Sequence, residues 1–564
     1  MTKTPPINAA GPLPLIGVLA LALALRIWGI TWGLPSATHY FSYHPDESVV
    51  LETSSLTMNV FAGRLLPHFY NYGSLQLYLI CFANTLAALF GAVDIVPKNY
   101  AQWYPQWANM YLIGRFLTVG MGVGTVWATY VLGATLWGRR AGLVAALILA
   151  ITPLHAQQSH FLTVDVPATF WVMLSLLWSA RLATDAPKPL RAALLAGLFA
   201  GFAAATKYNM ALVILPLLLA SYTSSPSRFG RVATCCGVGL LSCVLAFFAA
   251  CPGALLETNT FLKDVRFEAA HVQNRDDPTF RDTGNGFVYH ITHSLDAGLG
   301  LPLLVLALVS VGYALYRRQR GDALLSAFAL PYYILISLAA VRYARYTIPL
   351  LPILALWTGR MLADGSRLPR LVLRRVALSA AGICLFAALV DTAALVADMA
   401  PILGSEDTRD DTLYWLNTYE PAPARIGFAV QPWFGTAPVS PYFTLPGLGA
   451  WQAVTPPNIQ RRIVYSGTDW DMASLLSDKP DVVVLSEYDY DDALRVHNPA
   501  ALAYIAALKQ SYKPIAGYSA FLQMTSGSEE RFGMPTRDLP HDMIYPSPDI
   551  IIYSRHRRGT QRSE

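Results

Sequence analysis

The sequence predicts a polytopic α-helical membrane protein with a small α/β domain at its C-terminal end. Three observations predict it. Only 14% of the residues are charged and 54% are hydrophobic, whereas a soluble domain carries about a quarter charged residues. Apolar runs long enough to cross a bilayer, about 20 residues each, recur through the first 400 residues. Beyond residue 398 the composition turns polar, and strand-like runs take over. The formal charge of +5 is modest, and most Lys and Arg of the first part sit in short loops between apolar runs. That pattern orients a protein in a membrane and does not suit nucleic acid as a partner.

The spanning segments are 13–34, 109–136, 141–158, 165–183, 191–208, 209–224, 232–252, 292–315, 323–341, 346–362 and 376–397, about eleven crossings by length. The first run carries Trp28 and Trp32 near its end and has no small-residue cleavage site, so it reads as a retained signal-anchor. Basic loops occur at Arg139-Arg140, Arg181 with Lys188 and Arg191, Arg228 with Arg231, Arg317-Arg318 with Arg320, and Arg367 through Arg375. If every run crosses, these loops share one side, which the positive-inside tendency makes cytoplasmic. The outer side then holds a first loop at 35–108, a second at 253–291 and everything beyond 398.

Residues 74–93 are apolar enough to cross, but a crossing there would put Asp46 and the C-terminal region on opposite sides. They are expected as a juxtamembrane helix on the outer leaflet. Residues 47–63 carry Val49, Val50, Ser54, Met58 and Phe61 at helical spacing and predict a second surface helix. Strand-like runs at 426–430, 482–485 and 550–553, with a helix at 499–510, make the last part α/β. The chain therefore divides into a membrane module, 1–397, and an extracytoplasmic domain, 398–564. The six cysteines lie in or beside apolar runs without zinc-ligand spacing and read as small apolar residues.

The chemistry-bearing residues gather on the outer side. His44-Pro45-Asp46-Glu47 follows the first span. Adjacent carboxylates there can do acid–base work or hold a cation; the same residues also make an ordinary helix start, with proline at the first turn and acids near the positive end of the dipole. His155, Gln157, Gln158, His160 and Asp165 form a polar cluster that either ligates a metal or is a plain polar loop with Asp165 capping the next helix. Lys207 sits between two apolar stretches with almost no loop. A cation at that depth needs a partner, such as a phosphate, unless it snorkels to the interface. Arg342 and Arg345 are three apart, so on a helix they would share a face and could clamp a phosphate. Arg26 and Arg115 read as structural, paired with carbonyls or acids. The run from Pro67 to Gly73 suits stacking on a sugar or an interfacial aromatic belt. The 253–291 loop, with Glu268, reads as a lid or a solvated loop.

Taken in order, these motifs resemble the GT-C glycosyltransferases, nearest to the protein O-mannosyltransferase and aminoarabinose (lipid A) transferase group. The His44-Pro45-Asp46-Glu47 loop is similar to that superfamily's catalytic first outer loop. Gly138-Arg139-Arg140-Ala141-Gly142, Thr163-Val164-Asp165, the run from Arg345-Tyr346 to Pro349 and Pro352, and the Asp549-to-Tyr553 ending also match. The resemblance implies a polyprenyl-phosphate-linked sugar donor at the outer leaflet, an acceptor hydroxyl and inverting transfer. Asp46 inherits the role of base, with Glu47 as its neighbour. Asp165, His160, Lys207, Arg342, Arg345, His44 and Tyr346 become candidates for holding substrate and phosphate. A divalent cation near Asp46 and Asp165 is compatible with that site. The implied location is a bacterial inner membrane with the site facing the periplasm. One departure is plain: the lysine-proline-proline motif of aminoarabinose transferases is replaced by Tyr72-Gly73-Ser74-Leu75, so the phosphate must find its cation elsewhere and the acceptor need not be lipid A. The rival classes are a transporter or flippase of lipid-linked sugars, which predicts internal repeats and broken helices at mid-membrane, and a non-catalytic scaffold.

Overall fold

The computed structural model describes residues 13–39, 41–94, 100–184, 188–224, 229–400, 407–420, 424–439, 462–519, 528–531, 534–537 and 539–555. Among these residues six helices are long and apolar enough to cross a membrane: 102–137, 165–183, 189–206, 229–250, 344–365 and 371–397. Shorter apolar helices, Leu13–Ile27, Arg139–Ala150 and Leu301–Arg317, pack in the same bundle. The helix Tyr100–Trp137 has 38 residues; at 1.5 Å per residue it reaches about 57 Å, well past a hydrocarbon core of about 30 Å.

The bundle core is made of small and branched residues. Ala145, Ala146, Ala196, Ala200 and Ala203 are fully buried beside Leu149, Leu176 and Leu356. Small side chains let helix backbones approach closely, which drives association where lipid offers no hydrophobic gain.

Helix ends differ from the sequence expectation where special residues intervene. The span expected over 292–315 is broken at Gly300, whose φ of +76° separates Asp296–Leu299 from Leu301–Arg317. The surface helix expected over 47–63 is Pro45–Glu52 and then a wider turn, Thr53–Thr57. There the Ser54 hydroxyl donates to the Leu51 carbonyl, as short polar side chains do where they compete with the helix ladder. The 74–93 segment contains Leu75–Leu89. It packs with Val50, Leu51, Met58, Trp103 and Trp107, the cluster built from the first long loop, and not in the bundle core. The 253–291 loop holds a helix of its own, Thr258–Val272.

Among the described residues the C-terminal domain has seven strands: β1 (Arg425–Phe428), β2 (Arg462–Val464), β3 (Val482–Ser486), β4 (Lys513–Tyr518), β5 (Ser528–Arg531), β6 (Met534–Arg537) and β7 (Ile550–Ser554). Five form one sheet in the order β2-β1-β3-β7-β4, parallel at β1 and antiparallel at β7; β5 and β6 form a separate two-stranded antiparallel sheet. The helix Pro499–Ser511 lies close to its expected range. β3 is buried on both faces, which explains why its run of valines reads as a strand without alternation.

Candidate active site

The first loop delivers Asp46 through a helix start. Pro45 occupies the first turn, and the His44 ring caps it, accepting the Asp46 amide at 3.2 Å through Nδ1. Asp46 is partly exposed, 29% for its side chain, and lies 3.0 Å from the Arg345 guanidinium. The ordinary helix start thus places the Asp46 carboxylate beside Arg345. His44 itself is buried against Phe161 and Tyr545, with ring centroids 4.4 and 4.6 Å away. Burial lowers its pKa to about 3, so it stays neutral.

Glu47 turns inward and joins a different network. Its carboxylate is fully buried and accepts from Arg115 Nε at 2.8 Å and Nη2 at 2.6 Å, from the Ser42 hydroxyl at 2.5 Å and from the Leu162 amide at 2.6 Å. Burial alone would raise this carboxyl, but Arg115 holds it below the usual range. Arg115 also donates to the carbonyls of Ile30 and Trp32 at 2.7 Å. Glu47, expected as the neighbour of the base, fastens the first loop to the long helix. Arg26 likewise binds carbonyls of Ala22, Leu149 and Ala150 and the His155 ring, the structural role its sequence suggests.

Asp165 opens its helix without capping it. Its carboxylate instead meets Lys207 Nζ at 2.6 Å. Lys207 stands in extended backbone where the helix Pro189–Thr206 stops and a 3-10 turn begins, and it rests 4.6 Å over the Tyr346 ring. The partner demanded by a cation at that depth is thus Asp165, with an aromatic face beside it.

Arg342 and Arg345 part company. Residues 341–343 are not helical, and the 3-10 segment Ala344–Leu350 starts after them. Arg342 swings to the second loop, donating to the Thr283 hydroxyl at 2.9 Å and the Gly284 carbonyl at 2.8 Å. Arg345 alone faces Asp46, lying 4.1 Å over the Tyr343 ring. His160 is also withdrawn: both ring nitrogens lie against carbonyls of Ala156, Gln157 and Trp28, and the side chain is fully buried.

Two site residues, Asp542 and Tyr545, carry no motif visible in the sequence. Asp542, from the segment before β7, accepts the amides of Ala344 and Arg345 at 3.0 and 2.9 Å and so caps the segment bearing Arg345. Burial raises its carboxyl, although Arg345 and these amides pull the other way. Tyr545 meets Arg345 through its hydroxyl at 3.3 Å. Gln157 and Gln158, from the polar cluster, hold this same segment by the carbonyls of Met543 and Asp542 at 2.9 and 3.2 Å. Tyr72 completes the site. The charge of Asp46, ahead of burial, raises its phenol well above the usual value, and Arg345, Glu268 and Asp165 also act on it. Gly73 makes that placement possible, because a side chain there would collide with the Ala205 backbone at the end of the helix before Lys207.

Asp46 and Asp165 each carry a protein cation, and among the described residues no three His, Cys, Asp or Glu side chains gather as a metal site. The donor set does not fit a divalent cation shared by the two acids.

A helical membrane bundle covered by a C-terminal α/β domain is a fold of GT-C type, shared with the two solved structures described next. Residues 112–252 match the family described as dolichyl-phosphate-mannose-protein mannosyltransferase. The structure is similar to ArnT from Cupriavidus metallidurans bound to undecaprenyl phosphate, with a TM-score of 0.52 and 14% identity over 98% of this chain and 100% of that one. It is also similar to the Archaeoglobus fulgidus oligosaccharyltransferase in the apo form, with a TM-score of 0.51 and 12% identity over 94% of this chain and 75% of that one. No curated protein matches by sequence.

Proposed function

We propose that this chain transfers a sugar from a polyprenyl-phosphate-linked donor to an acceptor hydroxyl, with inversion, and that Asp46 is the base. The observation that carries the reading is the partly exposed Asp46–Arg345 pair at 3.0 Å, a carboxylate beside a cation at the face covered by the C-terminal domain. Asp46 takes the proton of the acceptor hydroxyl as that oxygen attacks the anomeric carbon. The bond from that carbon to the phosphate oxygen breaks, and polyprenyl phosphate leaves with the electron pair. Arg345 and Lys207 stabilise the developing charge; fixed cations in a partly dry site do this well. They supply the positive charge that a divalent cation near the two acids would otherwise bring.

The donor class has support from two sides. The similar Cupriavidus protein was solved with undecaprenyl phosphate, and the family matched over 112–252 is described by a dolichyl-phosphate sugar. The basic loops make the opposite side cytoplasmic, so we place the site on the outer side of a bacterial inner membrane. A transporter reading has less support, because the site's ion pairs tie loops and helix ends together at one face.

The test is transfer from a panel of polyprenyl-phosphate sugars in detergent, with and without chelator. Asp46→Asn is expected to lower transfer by about 10²–10⁴-fold with thermal stability unchanged, and chelator is expected to leave wild-type transfer intact. Full activity in a folded Asp46→Asn protein would remove Asp46 as the base. Glu47→Gln is expected instead to reduce the yield of folded protein.

A further inference from the structure

Between the second loop and the C-terminal domain lies a polar cavity of about 390 Å³, within the range of small-ligand sites, roughly 300–1,000 Å³. One wall is the turn around Asp282 with Tyr289 and His293; the other is the helix Glu487–Arg495 and the segment through His541. Arg495 closes one edge by donating to the carbonyls of Pro278 and Arg281 at 2.6 Å. Its charge is thereby engaged, also with Asp492 at 3.2 Å.

The other charges lining the cavity are acidic. Glu487, 1% exposed, lines it while accepting the Asp549 amide at 3.3 Å, and Asp282 and Asp491 line it as well. Carboxylates only accept hydrogen bonds, so this acidic lining favours a ligand with hydroxyls or amines over an anionic head group. Flat aromatic faces alternate with these acids: Tyr289 stacks on His293 at 4.7 Å and 7°, and Tyr488 meets His541 edge-on at 4.7 Å. Sugar rings present apolar C–H faces to such rings and hydroxyls to such carboxylates. His541 Nδ1 is buried with no hydrogen-bond partner among the described residues.

This cavity shares a wall with the candidate active site. His541 precedes Asp542, the cap of the Arg345 segment. The Tyr488 ring on the cavity side stacks at 6.1 Å with Tyr545, whose hydroxyl reaches Arg345.

We propose that the cavity binds the acceptor and that the acceptor is a neutral or amine-bearing glycan. This rests on the transferase reading above, so the test separates the two. Full-length protein in detergent is titrated with a neutral mannose trisaccharide, its glucosamine-containing counterpart, a phosphorylated trisaccharide and a serine/threonine peptide. Binding of polyprenyl phosphate is measured in parallel. The Asp282→Asn/Asp491→Asn double variant lies outside the catalytic set and removes two carboxylates without touching the core. The expected result is that wild type binds the neutral or amine-bearing glycan and that the double variant binds it at least about tenfold more weakly, with polyprenyl phosphate binding unchanged. Binding of the phosphorylated glycan or the peptide in preference, absence of all glycan binding, or glycan binding indifferent to the double substitution would overturn the proposal. Failure of wild type to bind polyprenyl phosphate would overturn the transferase reading, and glycan binding would then decide the cavity by itself.

Discussion

His44, Asp46 and Glu47 show how neighbouring residues acquire separate tasks. A helix start places successive side chains about 100° apart, so Asp46 meets Arg345 at the open face while Glu47 meets Arg115 in the interior. His44 supplies a cap in place of the usual Ser, Thr, Asp or Asn. Its folded pKa is about 3, below the free value of about 6.5. Between those values the unfolded chain binds more protons than the folded one, so the residue's contribution to stability falls as pH drops through that window. His44→Asn removes this dependence. Within the window the variant is expected to gain on wild type by about 1.4 kcal/mol per pH unit of acidification, read from unfolding midpoints in detergent between about pH 7.5 and 5. A difference independent of pH would contradict a neutral, buried His44. The adjacent acids were legible in the sequence as a pair, and the resemblance favoured Asp46; the inward turn of Glu47 was not legible, because it depends on Arg115 coming from 68 residues away.

Elements contribute through their ends. The pairing of Arg342 with Arg345 presumes a helix through 341–345, yet the backbone turns helical only at Ala344, where Asp542 caps it. The cap comes from 197 residues downstream and leaves no local mark in the sequence. Asp542→Ala is expected to remove about 0.5–2 kcal/mol of stability, as caps do. Arg345 would lose its fixed approach to Asp46, weakening polyprenyl phosphate binding together with transfer. Calorimetric binding alongside a melting curve checks both, and unchanged phosphate affinity would exclude the capping role. Lys207 and Asp165 were each legible as unusual, a cation at a helix break and an acid at a helix start. Their partnership needed the packing of the two helices.

At the scale of the molecule, Arg409 joins the membrane bundle to the C-terminal domain. It is fully buried and pairs with Asp407 through two bonds of 2.6 and 2.7 Å. It also donates to the carbonyls of Phe434 and Tyr545 and lies 4.0 Å over the Tyr43 ring of the first loop. Asp407 in turn accepts from the Trp32 indole at 2.8 Å. Arg409→Met would leave the buried Asp407 unpaired, which costs about 3–5 kcal/mol. The variant is expected to melt at lower temperature, to be cleaved by protease between the bundle and the domain, and to lose transfer activity. A normal melting temperature with intact protease resistance would show that the domain is held by other contacts.

Composition and apolar run length by themselves determined the membrane class, the predominantly helical character of the first part and the α/β character of the last part. These follow from local hydropathy and periodicity, which each segment carries wherever it packs. The sequence also singled out Asp46, Asp165, Lys207 and Arg345 as candidate site residues. Tertiary structure decided the pairings: Asp46 with Arg345, Asp165 with Lys207, Glu47 with Arg115, Arg342 with the second loop, and Asp542 beneath Arg345. The reason is physical. A buried charge takes whichever partner the packed backbone brings within about 3 Å, and that distance is set by contacts between segments far apart in the chain.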